Sequence, residues 1–428
     1  MTTQEYIRLH ANDDVRQLAL RGAKDEAVDL PFALDQIRGR QLARVKLPSW
    51  AALEGIIYPP HLSMEQCSSE VTARYKVEVL VNVGKWSEED GRFVDLTGGF
   101  GVDFSFLSRC FSERVYVERD AELCRIARHN MQLYRLDATI VNADGTDYLR
   151  TMPPADVVFI DPARRDGSGR RTYALADCTP NVLEMLPLLM QKTRRIILKL
   201  SPMLDWRKAV RDVLEQGTFP RSEERVMRSE VQGTFPGSEE RGTRVDVHIV
   251  SVDNECKELL LDISPTASSQ IYCVNFKGYD GYDVQRLVFT EEEEAEARRN
   301  QLSILDIAAY YLFEPNASIM KAGCFATLRQ QFNIRAIDAN SHLFVGEKPV
   351  PDFPGRQFRI KYVSSMNKKE LREALAGIDR ANISVRNFPL SAEALRRRLK
   401  LKDGGDVFIF GTTWAGSCTL FICKKVKS

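Results

Sequence analysis

No stretch of this sequence stays apolar for long enough to cross a membrane. The opening residues, Met1-Thr2-Thr3-Gln4-Glu5-Tyr6, have neither a basic start nor a hydrophobic segment, so no secretion leader is expected. Histidine is scarce. Five residues in 428 fall at no ligand-set spacing, and no metal site is expected. The nine cysteines are odd in number and include no Cys-x-x-Cys pair. That pattern argues against a disulfide framework and for reduced, mostly buried thiols in a cytoplasmic protein. Neither sign of charge dominates, since the formal net charge is only +1. The balance conceals a split: residues 345–428 hold 17 Lys and Arg against 8 Asp and Glu. A basic end on an otherwise acidic chain points to a polyanionic partner.

A length of 428 residues at 44% hydrophobic content suits two or three ordinary globular domains. The most informative run is Val94-Asp95-Leu96-Thr97-Gly98-Gly99-Phe100-Gly101-Val102-Asp103. Apolar Phe93-Val94 reads as the end of a strand, and Asp95 stands where it stops. The glycines allow a sharp turn and a close approach to a ligand, and helical spacing resumes from Asp103. The run lacks the third glycine of a Gly-x-Gly-x-x-Gly fingerprint, because Phe104 stands there, and no Lys-Ser or Lys-Thr follows.

Three further strands end in acids. Val115-Tyr116-Val117 stops at Glu118, Ala138 to Val141 leads to Asp144, and Asp156 to Ile160 leads to Asp161-Pro162-Ala163-Arg164. A helical pattern from Ala121 to Tyr134 separates the second from the third. A lone acid at a strand end is usually a turn former or helix cap. Four in succession around a glycine loop predict one crevice outside the carboxyl ends of a parallel sheet.

These residues resemble the class I S-adenosylmethionine-dependent methyltransferases, over about residues 55 to 265. Asp95-Leu96-Thr97-Gly98-Gly99-Phe100-Gly101 is similar to their first motif, Glu118 to their ribose-binding acid, and Asp144 to the acid that recognises the adenine amino group. Asp161-Pro162-Ala163-Arg164 resembles the catalytic loop after the fourth strand. The resemblance implies a Rossmann-like seven-stranded α/β core. Arg194 to Leu200 would be its fifth strand, and Arg244 to Val252 with Leu259 to Ile263 its closing hairpin, turning at Asp253-Asn254. It also implies S-adenosylmethionine as cofactor, held by Asp95, Thr97, Gly98, Gly99, Gly101, Glu118 and Asp144. Gln66, Ser69 and Thr72, just before the first motif, are further candidates for the cofactor's methionine part, and Ser68 or Ser69 could cap the helix there. In amino-methylating relatives an Asp or Asn precedes Pro-Pro-aromatic. Here Asp161 and Pro162 remain and the second proline and the aromatic do not. Asp161 and Pro162 would position an acceptor amine, with Arg164 or Arg165 steering a phosphate. The uracil C5 mechanism needs a cysteine after strand five, and Leu200-Ser201-Pro202 has none. Cys178 is expected to pack at the start of a helix.

The remaining chain divides as follows. Residues 1–50 read as a helical segment, with Thr3 and Asp13 as caps. Residues 51–267 would be the methyltransferase domain. Within it, Gln216 to Arg225 recurs as Gln232 to Arg241, which predicts a duplicated, mobile insertion over 216–242. Residues 268–345 read as a connecting α+β, ferredoxin-like domain. There a helix from Glu291 would continue through Ile304 to Phe313, and strands near Ile271 to Val274 and His342 to Val345 could pair. Residues 346–428 alternate β-α-β-α-β-β and resemble a THUMP-like domain, a module of RNA-modifying enzymes. Arg396, Arg397, Arg398, Lys400 and Lys402 form its basic cluster. The combination is similar to a bacterial family of methyltransferases and implies an enzyme acting on tRNA or rRNA, on a base amino group. The alternatives are a small-molecule methyltransferase and a protein that binds S-adenosylmethionine or RNA without transferring a methyl. No membrane partner is expected.

Overall fold

The structure, a computed structural model, describes residues 1–23, 25–83, 91–164, 175–217, 242–265, 269–299 and 310–426. It divides into two compact units. The first holds Met1–His248, Lys257–Ser269 and Gly278–Tyr282, and the second Ile249–Cys256, Gln270–Lys277 and Asp283–Ser428. No described helix is long and apolar enough to cross a membrane.

The first unit's strands are β1 (Arg92–Asp95), β2 (Glu113–Glu118), β3 (Thr139–Asn142), β4 (Ala155–Ile160) and β5 (Thr193–Leu200), together with the parts of β6 (Arg244–Val252) and β7 (Glu255–Ser264) outside Ile249–Cys256. Their spatial order is β3-β2-β1-β4-β5-β7-β6. β1 to β5 run parallel, and β7 runs antiparallel to β5. The inner strands read as near-continuous Val, Ile and Phe runs because both of their faces are covered. Successive strands leave β1 in opposite directions, to β2 on one side and to β4 on the other. That reversal opens a crevice at the carboxyl end of β1, which is where the glycine loop begins. Asp253 and Asn254 form the two-residue turn between β6 and β7 with φ of 50° and 63°, the left-handed pair that a tight hairpin requires.

Helix Ala121–Leu133 begins at Asp120, whose carboxylate accepts the amides of Glu122 and Leu123 at 2.8 and 3.2 Å. It lays Cys124, Ile126, Ala127 and Met131 into a core built on Trp50, Phe93, Phe104, Phe111, Tyr116 and Phe159. The N-terminal helices Thr3–Leu9, Val15–Arg21 and Leu30–Lys46 pack a small cluster of their own, with Tyr6, Leu18, Ala33 and Ile37 buried. Their caps are Thr2 and Asp14, each one residue from the expected Thr3 and Asp13. Thr2 prevails because Glu5 stands three residues on and completes a reciprocal capping box. Cys178 is also corrected. It lies buried in a two-residue strand, Cys178–Thr179, paired with Ala163–Arg164, and not at a helix start.

In the second unit β8 (Ile271–Lys277) pairs with β9 (Asp283–Phe289) and not with the segment near His342. That later segment supplies Phe344–Gly346, which lies beside Tyr311–Pro315. Tyr311–Pro315 is itself a strand where the sequence suggested the end of a helix, since Tyr-Leu-Phe fits a pleated, half-buried surface better than a helical face. Residues 300–309, between it and helix Glu291–Arg299, lie outside the described residues, as do 218–241 of the repeat. The C-terminal order is as expected: strand Gly355–Ser365, helix Lys368–Ala374, strand Asn382–Arg386, helix Ala392–Leu399, strands Val407–Trp414 and Ser417–Lys425. Two apolar clusters hold it, one around Phe358, Phe410 and Phe421 and another around Leu395, Ile409 and Leu420.

Candidate active site

The turn after β1 is tied at both ends. Gly98 donates its amide to Val117 O at 2.9 Å, and a Cβ there would stand 2.2 Å from the Tyr116 ring, so no larger residue fits. Gly101 has φ of 86° and caps helix Val102–Leu107, and its own Cβ would meet the Met131 methyl at 2.8 Å. The Tyr116 hydroxyl donates to Gly99 O. This packing aims the Gly99 amide at Glu118, whose Oε2 accepts it at 2.9 Å, while Oε1 accepts the Asp120 amide at 2.8 Å.

Asp95 is buried and accepts the Thr97 amide at 2.9 Å. Burial pushes its carboxyl well above the usual carboxylate range, against the pull of that hydrogen bond. Thr97 Oγ1 accepts the Asp161 amide at 2.7 Å and so joins the end of β1 to the end of β4. Asp144 is exposed and caps helix Gly145–Thr151 through the Thr146 amide at 2.8 Å.

These residues share one cavity of about 270 Å³, lined by Gln66, Asp95, Thr97, Gly98, Gly99, Gly101, Glu118, Asp144 and Asp161 among others. Thr72 is not brought to it. Its hydroxyl turns back on Ser69 O at 3.1 Å, and Ser69 Oγ accepts the Thr72 amide at 3.3 Å as the helix cap. Pro162 is absent from the lining while Ala163 is present. The backbone of Arg164 pairs with Cys178, and Arg165 lies outside the described residues. In the second unit Arg397, Arg398, Lys400 and Lys402 are exposed, and Arg396 pairs with Asp403 at 2.5 Å.

Sequence reasoning missed the ions behind the cavity. Lys199, from β5, lines it and meets Asp161 Oδ2 at 2.6 Å and Asp103 Oδ2 at 3.5 Å. The other Asp103 oxygen pairs with fully buried Lys76 at 2.9 Å, and Lys76 pairs with Glu258 at 2.6 Å. Ser68 Oγ donates to Asp103 at 2.7 Å. Burial alone would raise Asp103, but Lys76 and Lys199 bring it down to about 2. Burial alone would lower Lys199, but Asp161 and Asp103 hold its ammonium well above the usual lysine range. Burial raises the Asp161 carboxyl, with Lys199 pulling the other way. The one available signal was a lysine inside the apolar strand Ile196-Ile197-Leu198-Lys199-Leu200.

A second buried group lies nearby in the same sheet. Arg195 makes a two-pronged bond to Asp262, 2.7 Å on each side, and donates to Val79 O and Leu80 O. Tyr75 OH and His248 Nδ1 stand 2.8 Å apart. Asp246, His248 and Asp262 lie close enough to hold an ion, but the arginines Arg195 and Arg244 already pair with the two acids.

A crystal structure of a candidate methyltransferase from Porphyromonas gingivalis W83 matches at 30% identity and a TM-score of 0.78, over 99% of this chain and 97% of that one. The chain belongs to that methyltransferase family. Within the family's fold, the profile of a ferredoxin-like domain matches residues 311–354 and that of a THUMP domain-like family residues 355–425. A SAM-dependent methyltransferase from Agrobacterium tumefaciens aligns at 19% identity over 29% of this chain and 43% of its own, with a TM-score of 0.24. A candidate RNA methyltransferase from Pyrococcus horikoshii aligns at 14% identity over 54% of this chain and 99% of its own, with a TM-score of 0.33. No curated protein matches the chain. The chain thus joins a methyltransferase core to ferredoxin-like and THUMP-like modules.

Proposed function

We propose that this methyltransferase transfers a methyl group from S-adenosylmethionine to RNA, a tRNA or rRNA. The observation that carries the proposal is the convergence of a glycine turn and four strand-end carboxylates on one cavity. The residues present fit the cofactor. Each Glu118 oxygen accepts one backbone amide, and a carboxylate oxygen can accept a second donor, so both remain able to take a ribose hydroxyl. Asp144 would hold the adenine amino group, and Asp95 with Gln66 the methionine part. When bound, S-adenosylmethionine supplies an electrophilic methyl on a sulfonium. Asp161 receives the hydrogen of the acceptor and holds it in line, and the walls exclude water. Pro162 fixes the backbone beside it. Arg164 or Arg165 would steer a phosphate. A base amine and a ribose hydroxyl can both donate to Asp161.

RNA is favoured over a small molecule by the THUMP-like match and by the exposed basic residues Arg397, Arg398, Lys400 and Lys402. The test is transfer of labelled methyl to extracted RNA by the full chain. Asp161→Ala should lower transfer about 100-fold while S-adenosylhomocysteine binding stays within a few-fold. Unchanged transfer would remove Asp161 from the chemistry. Label reaching small molecules and never RNA would replace the substrate. Double substitution Arg397→Ala with Arg398→Ala should weaken RNA binding and reduce its salt slope by about 2.

A further inference from the structure

We propose that the acceptor held by Asp161 is a ribose hydroxyl, with Lys199 as a positioning residue that fixes Asp161 and steadies the oxygen as its proton leaves. This rests on the RNA methyltransferase reading and names its acceptor, which the sequence resemblance had placed on a base amine.

The two acceptors develop opposite charge. An amine that attacks a sulfonium methyl becomes ammonium-like, and a fixed cation beside it opposes the reaction. A hydroxyl must shed its proton, and the oxygen then carries negative character that a cation stabilises. Lys199 is such a cation. Its Nζ lies 2.6 Å from Asp161 Oδ2, so any donor held by Asp161 feels its charge. It cannot swing away, because Asp103 holds it from behind, and Lys76 and Glu258 hold Asp103 in turn. Among the described residues the walls offer no free aromatic face for a base. Among the described lining residues the aromatic side chains are Phe100 and Phe159. Phe100 packs against Trp50 with ring centres 4.7 Å apart, and Phe159 is buried in the core. An RNA chain presents a 2′-hydroxyl at every nucleotide without any base leaving its stack.

In the step itself the hydroxyl oxygen forms the bond to the methyl carbon. The carbon–sulfur bond breaks with its electron pair left on sulfur, which becomes a neutral thioether. The hydroxyl proton passes to Asp161 Oδ1, the oxygen that Lys199 does not hold, and from there to solvent.

The experiment uses the full chain, methyl-labelled S-adenosylmethionine, and total tRNA and rRNA from cells in which the gene is deleted, followed by alkaline hydrolysis. A 2′-O-methyl blocks cleavage at its own linkage, so the expected label lies in alkali-resistant dinucleotides. Label in mononucleotides, as a methylated base, would overturn the hydroxyl acceptor and leave the RNA methyltransferase reading standing. No label in any RNA, from protein that binds S-adenosylhomocysteine, would overturn both. Lys199→Met should lower kcat about 100-fold with KM for S-adenosylmethionine within about threefold, and move the acidic limb of the pH profile upward. Lys199→Arg should recover about tenfold of that loss. A Lys199→Met enzyme with wild-type kcat and pH profile would end the positioning role.

Discussion

Two sets of buried ions sit in the first unit, and they differ in one respect. The Arg195–Asp262 set is closed, with both partners buried and the spare arginine hydrogens satisfied by Val79 and Leu80 carbonyls. The Lys199 set is open, since Asp161 at its end keeps 37% of its side chain exposed in the cavity. A closed, fully bonded pair fixes the fold, and breaking it strands a charge in the interior. An open set has one partner position unfilled by protein, which is where a substrate group can enter. Burial of charge alone does not mark a catalytic site, whereas access does.

The comparison breaks most readily at Arg195. Arg195→Leu should cost about 3–5 kcal/mol in denaturant unfolding, because Asp262 is left buried and unpaired. A loss under 1 kcal/mol would deny that the closed set is structural. Acid comes next. Burial holds His248 at about 4, below its ordinary 6.5, so the unfolded chain takes up the proton first as pH falls. Its contribution is full above pH 6.5 and is lost between 6.5 and 4, a span of about 3 kcal/mol. Unfolding curves of wild type and His248→Gln should diverge over that window, and parallel curves would contradict it. The smallest effect belongs to the open end. Asp161→Asn should change stability by about 1 kcal/mol or less while abolishing most transfer. A large stability loss there would erase the distinction between the two sets.

Much of this architecture was legible in the chain. β2 to β5 each carry paired Val or Ile and β1 carries Phe93-Val94, and the ends of β1 to β4 carried the acids that line the cavity; the inner strands read as apolar because both of their faces are buried. The tight turn at Asp253-Asn254 was legible for a similar local reason. The ionic set behind the cavity was not, because Lys76, Asp103, Lys199 and Glu258 are far apart in sequence and acquire meaning only once β5 and β7 lie side by side. Thr72 misled because a polar residue near the first motif reads the same whether it faces a ligand or caps its own helix turn. The segment before Phe313 misled because a charged helix pattern ran toward an apolar one with no proline or glycine between them.

The central claim is that the cavity at the end of β1 binds S-adenosylmethionine through Glu118. Calorimetric titration of the folded full chain with S-adenosylhomocysteine tests it most directly. One-to-one binding, weakened about tenfold or more by Glu118→Ala, is the predicted result. Folded protein that gives no heat with either S-adenosylmethionine or its demethylated product would contradict it.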